Sequence, residues 1–234
     1  MTQESLNKKA LIAMSGGVDS SVSALLMQQQ GYECVGATMS LFKKSTCGGE
    51  DDVRDAAKVC ADLGMEHHVI NFADSFQDKV IKRFIDAYTH GRTPNPCVVC
   101  NPTIKWAKLM DLADRLGCWG IATGHYAQIG EENGRSFVRC GADTKKLNCP
   151  FCIFVASDYV FDNPTREKKG GLTQEQLKRT LFPLGGMTKN EVRAYAAMNG
   201  HEEISKMGES QDICFLPDND YRHFLTENGY MAKK

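Results

Sequence analysis

Ala10-Leu-Ile-Ala-Met-Ser-Gly-Gly-Val-Asp-Ser-Ser21 is an apolar run that breaks into Ser15-Gly16-Gly17 and passes directly into a helical pattern. It reads as strand, anion-binding loop, helix. Paired glycines let backbone N–H groups turn towards a ligand where side chains would block the approach, and a helix starting there aims its positive end at the same spot. The hydroxyls of Ser15, Ser20 and Ser21 add donors. No lysine stands where the GxxxxGK[ST] phosphate loop requires one, so that loop is excluded. A plain tight turn with serine caps would account for Ser15-Gly16-Gly17 alone, less well for the six residues together.

Outward from this stretch, strand and helix patterns alternate. Val22, Leu25, Leu26 and Met27 give an apolar face that closes at Gly31, a C-cap position. Cys34–Met39 reads as a second buried strand, followed by a polar loop from Ser40 to Gly49. Val53, Ala56, Ala57, Cys60 and Leu63 return to helical spacing, His68–Phe72 forms a third strand, and Phe76, Val80, Phe84 and Ala87 line a helix capped by Asp74 or Ser75. Thr173–Gln176 and Thr188–Glu191 are capping boxes, each opening a short helix. The alternation predicts an α/β fold, a parallel sheet with helices on both faces and ligands gathered at the carboxyl ends of its strands.

The 234 residues, 42% hydrophobic and 24% charged, suit one large domain or two small ones. A net charge of −1 gives no global field for nucleic acid, so an RNA partner requires a local basic patch. The polar first nine residues lack a signal peptide's apolar core, and no stretch approaches the roughly 18 apolar residues of a membrane span. A cytoplasmic protein with no membrane partner is expected. Ten cysteines exceed what packing needs, and in a reducing compartment they point to thiol chemistry or metal before structural disulfides. Cys34 and Cys60 fall on apolar faces and are expected in the core.

Gly91-Arg-Thr-Pro-Asn-Pro-Cys-Val-Val-Cys-Asn101 carries two prolines, which argue for a constrained loop displaying Cys97 and Cys100. A helix is expected to begin at Asn101-Pro102, with Trp106, Leu109, Met110, Ala113 and Leu116 on one face and Cys100 near its start, where a thiolate is favoured. The same spacing is half of a structural zinc site, for which Cys149 and Cys152 would be the other half.

Ser15–Ser21 resembles the SGGxDS signature of the PP-loop ATP pyrophosphatases. Together with Gly91–Asn101, Ala122-Thr-Gly-His-Tyr-Ala127, Leu181-Phe-Pro-Leu-Gly185 and Ser210-Gln-Asp-Ile-Cys-Phe215, it resembles the tRNA-specific 2-thiouridylase family from about residue 8 to about residue 226. The resemblance implies an adenine nucleotide alpha hydrolase-like fold and a transferase that makes the uridine C2 oxygen an adenylate. ATP is split to AMP and pyrophosphate, and sulfur then replaces the oxygen, at the wobble position of tRNA. It assigns Ala13, Met14, Ser15, Gly16, Gly17, Val18, Asp19, Ser20, Ser21, Met39 and Gly124 to ATP, with Mg2+ on the phosphates. Asn95, Pro96 and Cys97 go to the target base, Cys214 to the persulfide, and Cys100 to the nucleophile that forms a Cys100–Cys214 disulfide as sulfur leaves. Arg92, Lys105 or Lys206 would supply a positive field. A persulfide donor or relay protein is implied as a partner alongside tRNA.

The departures are as informative. Some relatives have aspartate where this chain has Cys97, so Cys97, Cys100 and Cys214 holding an iron–sulfur cluster is the alternative to catalytic thiols. His125 is expected to be structural or nucleotide-adjacent. The family's KDQSYFL-like segment is replaced between Lys146 and Gly171, which divides the chain into an ATP-binding catalytic part at 1–146, an atypical insertion at 147–171 and the remainder of the catalytic domain at 172–234. The family's C-terminal β domains do not follow in these 234 residues, so a separate chain supplying tRNA-binding domains is one expectation. A PP-loop module without its own tRNA recognition, moving sulfur to a small molecule, is the second functional class.

Overall fold

The computed structural model describes residues 8–40, 49–143, 172–207, 213–216 and 220–230. Lys9–Ala13 (β1) passes through the glycine loop into Val18–Gln29 (α1), and Glu33–Ser40 (β2) returns beside it. Gly31 adopts φ +81° and its N–H donates to the Gln28 carbonyl, which ends α1 as the pattern predicts. Glu50–Asp62 (α2) and Glu66–Asn71 (β3) complete the first half. Gly120–Ala122 (β4), the antiparallel hairpin Ala127–Glu132 (β5) with Arg135–Cys140 (β6), and Thr180–Leu181 (β7) follow.

β1, β2, β3, β4 and β7 form one parallel sheet in the order β3-β2-β1-β4-β7, with Leu11 opposite Val35 on one side and Ile121 on the other. The order reverses at β1, so a crevice opens between the carboxyl ends of β1 and β4, where such sheets take their ligands.

Because side chains alternate along a strand, each inner strand feeds both faces. Ala10, Ile12, Cys34 and Ala122 pack under α1, α2 and Lys189–Met198 (α8), which Glu202–Lys206 (α9) follows. Leu11, Val35, Ala37 and Ile121 pack under Ala107–Arg115 (α6) and Gln174–Lys178 (α7). Cys34 and Cys60 are buried, as their apolar spacing requires. The Thr173 and Thr188 capping boxes are both formed, at α7 and α8.

A third cluster lies beyond the sheet. Phe76, Val80, Ile81 and Phe84 come from a continuous helical stretch made of Ala73–Phe76 (α3), a π turn Gln77–Ile81 and Lys82–Thr89 (α4). They meet Cys100, Ile104, Phe215 and Phe224 of Tyr221–Glu227 (α10). Asp74 and Ser75 lie inside the first turn and do not cap it. The Asn71 carboxamide, 2.9 Å from the Ala73 N–H, takes that place. The loop expected at Gly91–Asn101 is only partly a loop: Pro96–Cys100 is helix (α5), capped by Asn95, whose side chain accepts the Cys97 N–H at 3.1 Å. Proline at the first helical position costs no hydrogen bond, so Pro96 opens the helix. The segments 41–48 and 144–171, with Cys47, Cys149, Cys152 and the whole insertion, lie outside the described residues.

Candidate functional site

The loop after β1 is held from inside. Gly16 sits at φ +74°, and a Cβ there would come 2.8 Å from the Asp52 carbonyl oxygen, so both conformation and space require glycine. The Ser20 and Ser21 hydroxyls each donate to the Gly17 carbonyl at 3.0 Å, and the Ser15 N–H donates to Ser20 Oγ at 3.2 Å. Gly17 occupies the N-cap of α1 with no side-chain acceptor, which leaves the first-turn amides for an anion.

Asp19 lies in that first turn. The Tyr126 hydroxyl and Lys189 Nζ both donate to its Oδ1 at 2.7 Å. Gly124, in the loop after β4, is pressed against the same turn: a Cβ there would lie 2.9 Å from the Asp19 carbonyl carbon and 3.0 Å from the Ser20 nitrogen. Met39 stands at the carboxyl end of β2, partly buried between two core clusters. The loop residues and Gly124 therefore meet at the carboxyl ends of β1 and β4, and Met39 stands one strand away on β2. Sequence reasoning leaves out Lys189 altogether and quotes Tyr126 only within its motif, with no role; nothing local marks either as a partner of Asp19.

The thiols gather in a second place. Cys97, Cys100 and Cys214 line one cleft with Pro96, Asn101, Lys105 and the apolar side chains of Phe76, Val80, Ile213 and Phe215. Cys100 is 4% exposed, so the expectation that both thiols of this motif are displayed fails for it; Cys97 and Cys214 are half-buried. Burial follows from the helix, which turns Cys100 into the aromatic cluster. Cys100 and Cys214 are thiols here, not a disulfide.

Asn101–Trp106 continues α5 as a π-helical segment, with Pro102 as its second residue. A proline inside a helix lacks its N–H and crowds the carbonyl four residues back, and a wider turn relieves both. The consequence is a change of phase. Five residues of α-helix turn through about 500°, about 140° out of line, whereas i→i+5 bonding stacks residues five apart. Lys105, five residues after Cys100, lines the same cleft. Of the three cations named from the sequence, Arg92 pairs with Asp86 at 3.2 Å and Lys206 with Glu202 at 3.6 Å, both on the surface.

His125 joins the two regions. It shares a 2.7 Å hydrogen bond with the Thr123 hydroxyl and sits 5.7 Å from the Trp106 ring and 6.2 Å from Phe182. Desolvation, and secondarily the Lys105 ammonium, push its pKa down to about 3. The residue as a whole is half-buried, and the imidazole is neutral at ordinary pH. In the core, desolvation raises the Cys34 thiol to about 12 and that of Cys60 to about 11. Among the described residues no group of three or more His, Cys, Asp or Glu side chains is gathered to hold a metal ion, and no helix is long and apolar enough to cross a membrane.

The sequence matches the family described as tRNA methyl transferase HUP domain over residues 8–160 and 170–218. It is 44% identical over 226 residues to the tRNA-specific 2-thiouridylase MnmA of Amoebophilus asiaticus, covering 93% of this chain and 56% of that relative. The chain thus spans little more than half the length of the curated relatives it matches. Among solved structures it resembles the U34-tRNA thiolase NcsA of Methanococcus maripaludis with its [4Fe-4S] cluster (TM-score 0.52, 19% identity, 95% of this chain and 67% of that one). It also resembles a 4-thiouridine synthetase in an RNA complex with bound ATP (TM-score 0.51, 18% identity, 94% and 49%). At such identities the likeness is one of fold.

Proposed function

Because the chain belongs to the family of the tRNA methyl transferase HUP domain, and its curated relatives are tRNA-specific 2-thiouridylases, we propose that it carries ATP-dependent 2-thiolation of uridine in tRNA, at the wobble position. The observation that carries this reading is the meeting of Cys97, Cys100 and Cys214 in one cleft, on a fold whose phosphate loop lies at the neighbouring sheet edge. Methyl transfer to a ring position needs neither an ATP cradle nor a pair of thiols; exchanging oxygen for sulfur needs both.

ATP lies with its phosphates on Ser15–Ser21 and its base near the Met39 backbone. Mg2+, when bound, screens the phosphate charge. The C2 oxygen of uracil attacks the α-phosphorus, N3 loses its proton to solvent, and the bond to the bridging oxygen breaks with its electron pair on pyrophosphate. The terminal sulfur of a Cys214 persulfide, loaded by a persulfide donor, then bonds to C2 and AMP departs. The Cys100 thiolate attacks Cys214 Sγ and frees the sulfur, leaving a Cys100–Cys214 disulfide that an external dithiol reduces. Asn95, Pro96 and Cys97 face the base, and Lys105 holds the anionic sulfur species. Tyr126 and Gly124 fix the loop.

Purified protein with ATP, a sulfide source and unmodified tRNA should yield 2-thiouridine, and Cys100→Ser or Cys214→Ser should abolish it. Full activity in both variants would refute the assignment. A cluster on Cys97, Cys100 and Cys214 is the second route, for which their shared cleft speaks, although in this structure the three are not gathered closely enough to hold a metal ion. The visible absorption of anaerobically purified protein separates the two.

A further inference from the structure

The phosphate loop has no lysine of its own, yet one reaches it from elsewhere in the chain. Lys189 opens α8 and sets its ammonium 2.7 Å from Asp19 Oδ1, with 13% of its side chain exposed against 29% for the aspartate. The start of α8 is fixed independently. The Lys189 N–H donates to Oδ2 of the buried Asp143 at 2.9 Å, and Thr188 forms its capping box with Glu191.

A lysine loses much rotamer freedom when held this way, and an ion pair taken largely out of water returns little net stability. Stability is thus a weak reason for the pair. Its place is more telling: the carboxylate that holds the ammonium belongs to the first turn of α1, the turn whose Ser20 is bonded to Ser15 of the loop and whose amides would hold phosphate oxygens.

We propose that Lys189 is a catalytic residue for the departure of pyrophosphate, and that Asp19 is its resting counter-ion. This rests on the reading of the loop as an ATP site. When nucleotide enters, Lys189 turns from Asp19 to the β- and γ-phosphate oxygens, and Asp19 would then be the residue to hold a divalent ion accompanying the phosphates. As the bond between the α-phosphorus and the bridging oxygen breaks, the electron pair moves to pyrophosphate, and the ammonium neutralises charge growing there without giving up a proton. An interaction stronger in the transition state than in the ground state appears in kcat more than in KM. Tyr126, which donates to the same oxygen, keeps Asp19 aligned during the exchange.

The test uses the full chain with inorganic pyrophosphate and with MgATP plus tRNA, in wild type, Lys189→Met and Lys189→Arg. Lys189→Met should lower kcat for pyrophosphate release about 100- to 1,000-fold, change KM for ATP far less, and weaken pyrophosphate binding about tenfold. Lys189→Arg should recover part of both. If Lys189→Met folds with wild-type pyrophosphate affinity, or keeps full kcat, the assignment is overturned. Should the methionine variant not fold, the arginine variant decides: pyrophosphate affinity close to wild type supports a charge role, and loss equal to an empty loop refutes it. A wild-type protein that binds pyrophosphate through Lys189 yet releases none from ATP would sink the reading of the reaction while leaving the anion site standing.

Discussion

Cys100 and Cys214, far apart in the sequence, line the same cleft, one from the helix after Asn95 and the other from the short segment before α10. Phe215, next to Cys214, stacks edge-on against Phe76 and Phe84 with ring centres 5.6 and 5.0 Å apart, which holds that segment on the aromatic cluster. Packing therefore brings the two thiols together.

Mild oxidation should produce a Cys100–Cys214 crosslink, detected by peptide mass mapping. A disulfide needs Cα atoms within about 7 Å, so tRNA or ATP should alter its rate if either moves the cleft. Native alkylation at pH 7 should label Cys97 and Cys214 and spare Cys34 and Cys60, whose burial keeps them protonated. Labelling confined to Cys149 or Cys152, with Cys214→Ser fully active, would move the sulfur chemistry into the segment 147–171.

Asp19→Ala should abolish ATP consumption in a protein that still folds. The change leaves Lys189 and the Tyr126 hydroxyl without their shared acceptor, so unfolding should be easier by about 1–3 kcal/mol. Undiminished pyrophosphate release from this variant would remove the loop from its role.

Gly124→Ala puts a methyl group against the Asp19 and Ser20 backbone at about 3 Å. Neither neighbour is a flexible side-chain tip, so the loop must shift, at a cost of about 1–3 kcal/mol. Nucleotide affinity should fall. Gly186→Ala, with nothing within 4 Å of the added carbon, is the control and should leave both melting and affinity unchanged.

His125 makes folding acid-sensitive. Its folded pKa, about 3, lies below the usual 6.5, so between these values the unfolded chain binds the proton and the folded one does not. Stability from this residue is present above pH 6.5 and declines as pH falls towards 3. His125→Asn, which can keep a partner for Thr123, should flatten the melting-temperature profile over that window. An unchanged acid limb would show that the imidazole is not enclosed in solution.

The strand-loop-helix opening, the strand-helix alternation and both capping boxes are legible because each rests on neighbours in sequence. The Asn133-Gly134 turn is equally local but absent from the sequence reading above: φ of 51° and 74° at these residues closes the β5–β6 hairpin, and Asn-Gly between strand-like runs is its usual signal. Pro96 misleads because proline forbids a helix interior but suits its first residue. Pro102 misleads in the opposite sense, since it sits inside a helix that widens around it. Lys189 leaves no mark at all: its partner is 170 residues away, and only the closure of the sheet brings them together.

Thr123, Gly124 and His125 have a consequence for protein engineering. One stretch of backbone touches the glycine loop through its glycine and the Trp106 ring, in the helix that follows Cys100, through its histidine, so the two proposed sites have no modular boundary. Chimeras that take residues up to Ser21 from one homologue and residues 95 to 126 from another should assemble folded yet poorly coupled enzymes. The tip of the β5–β6 hairpin, exposed and turned by Asn133-Gly134, carries none of the residues assigned here and is the place to splice in a tag or a fluorescent reporter.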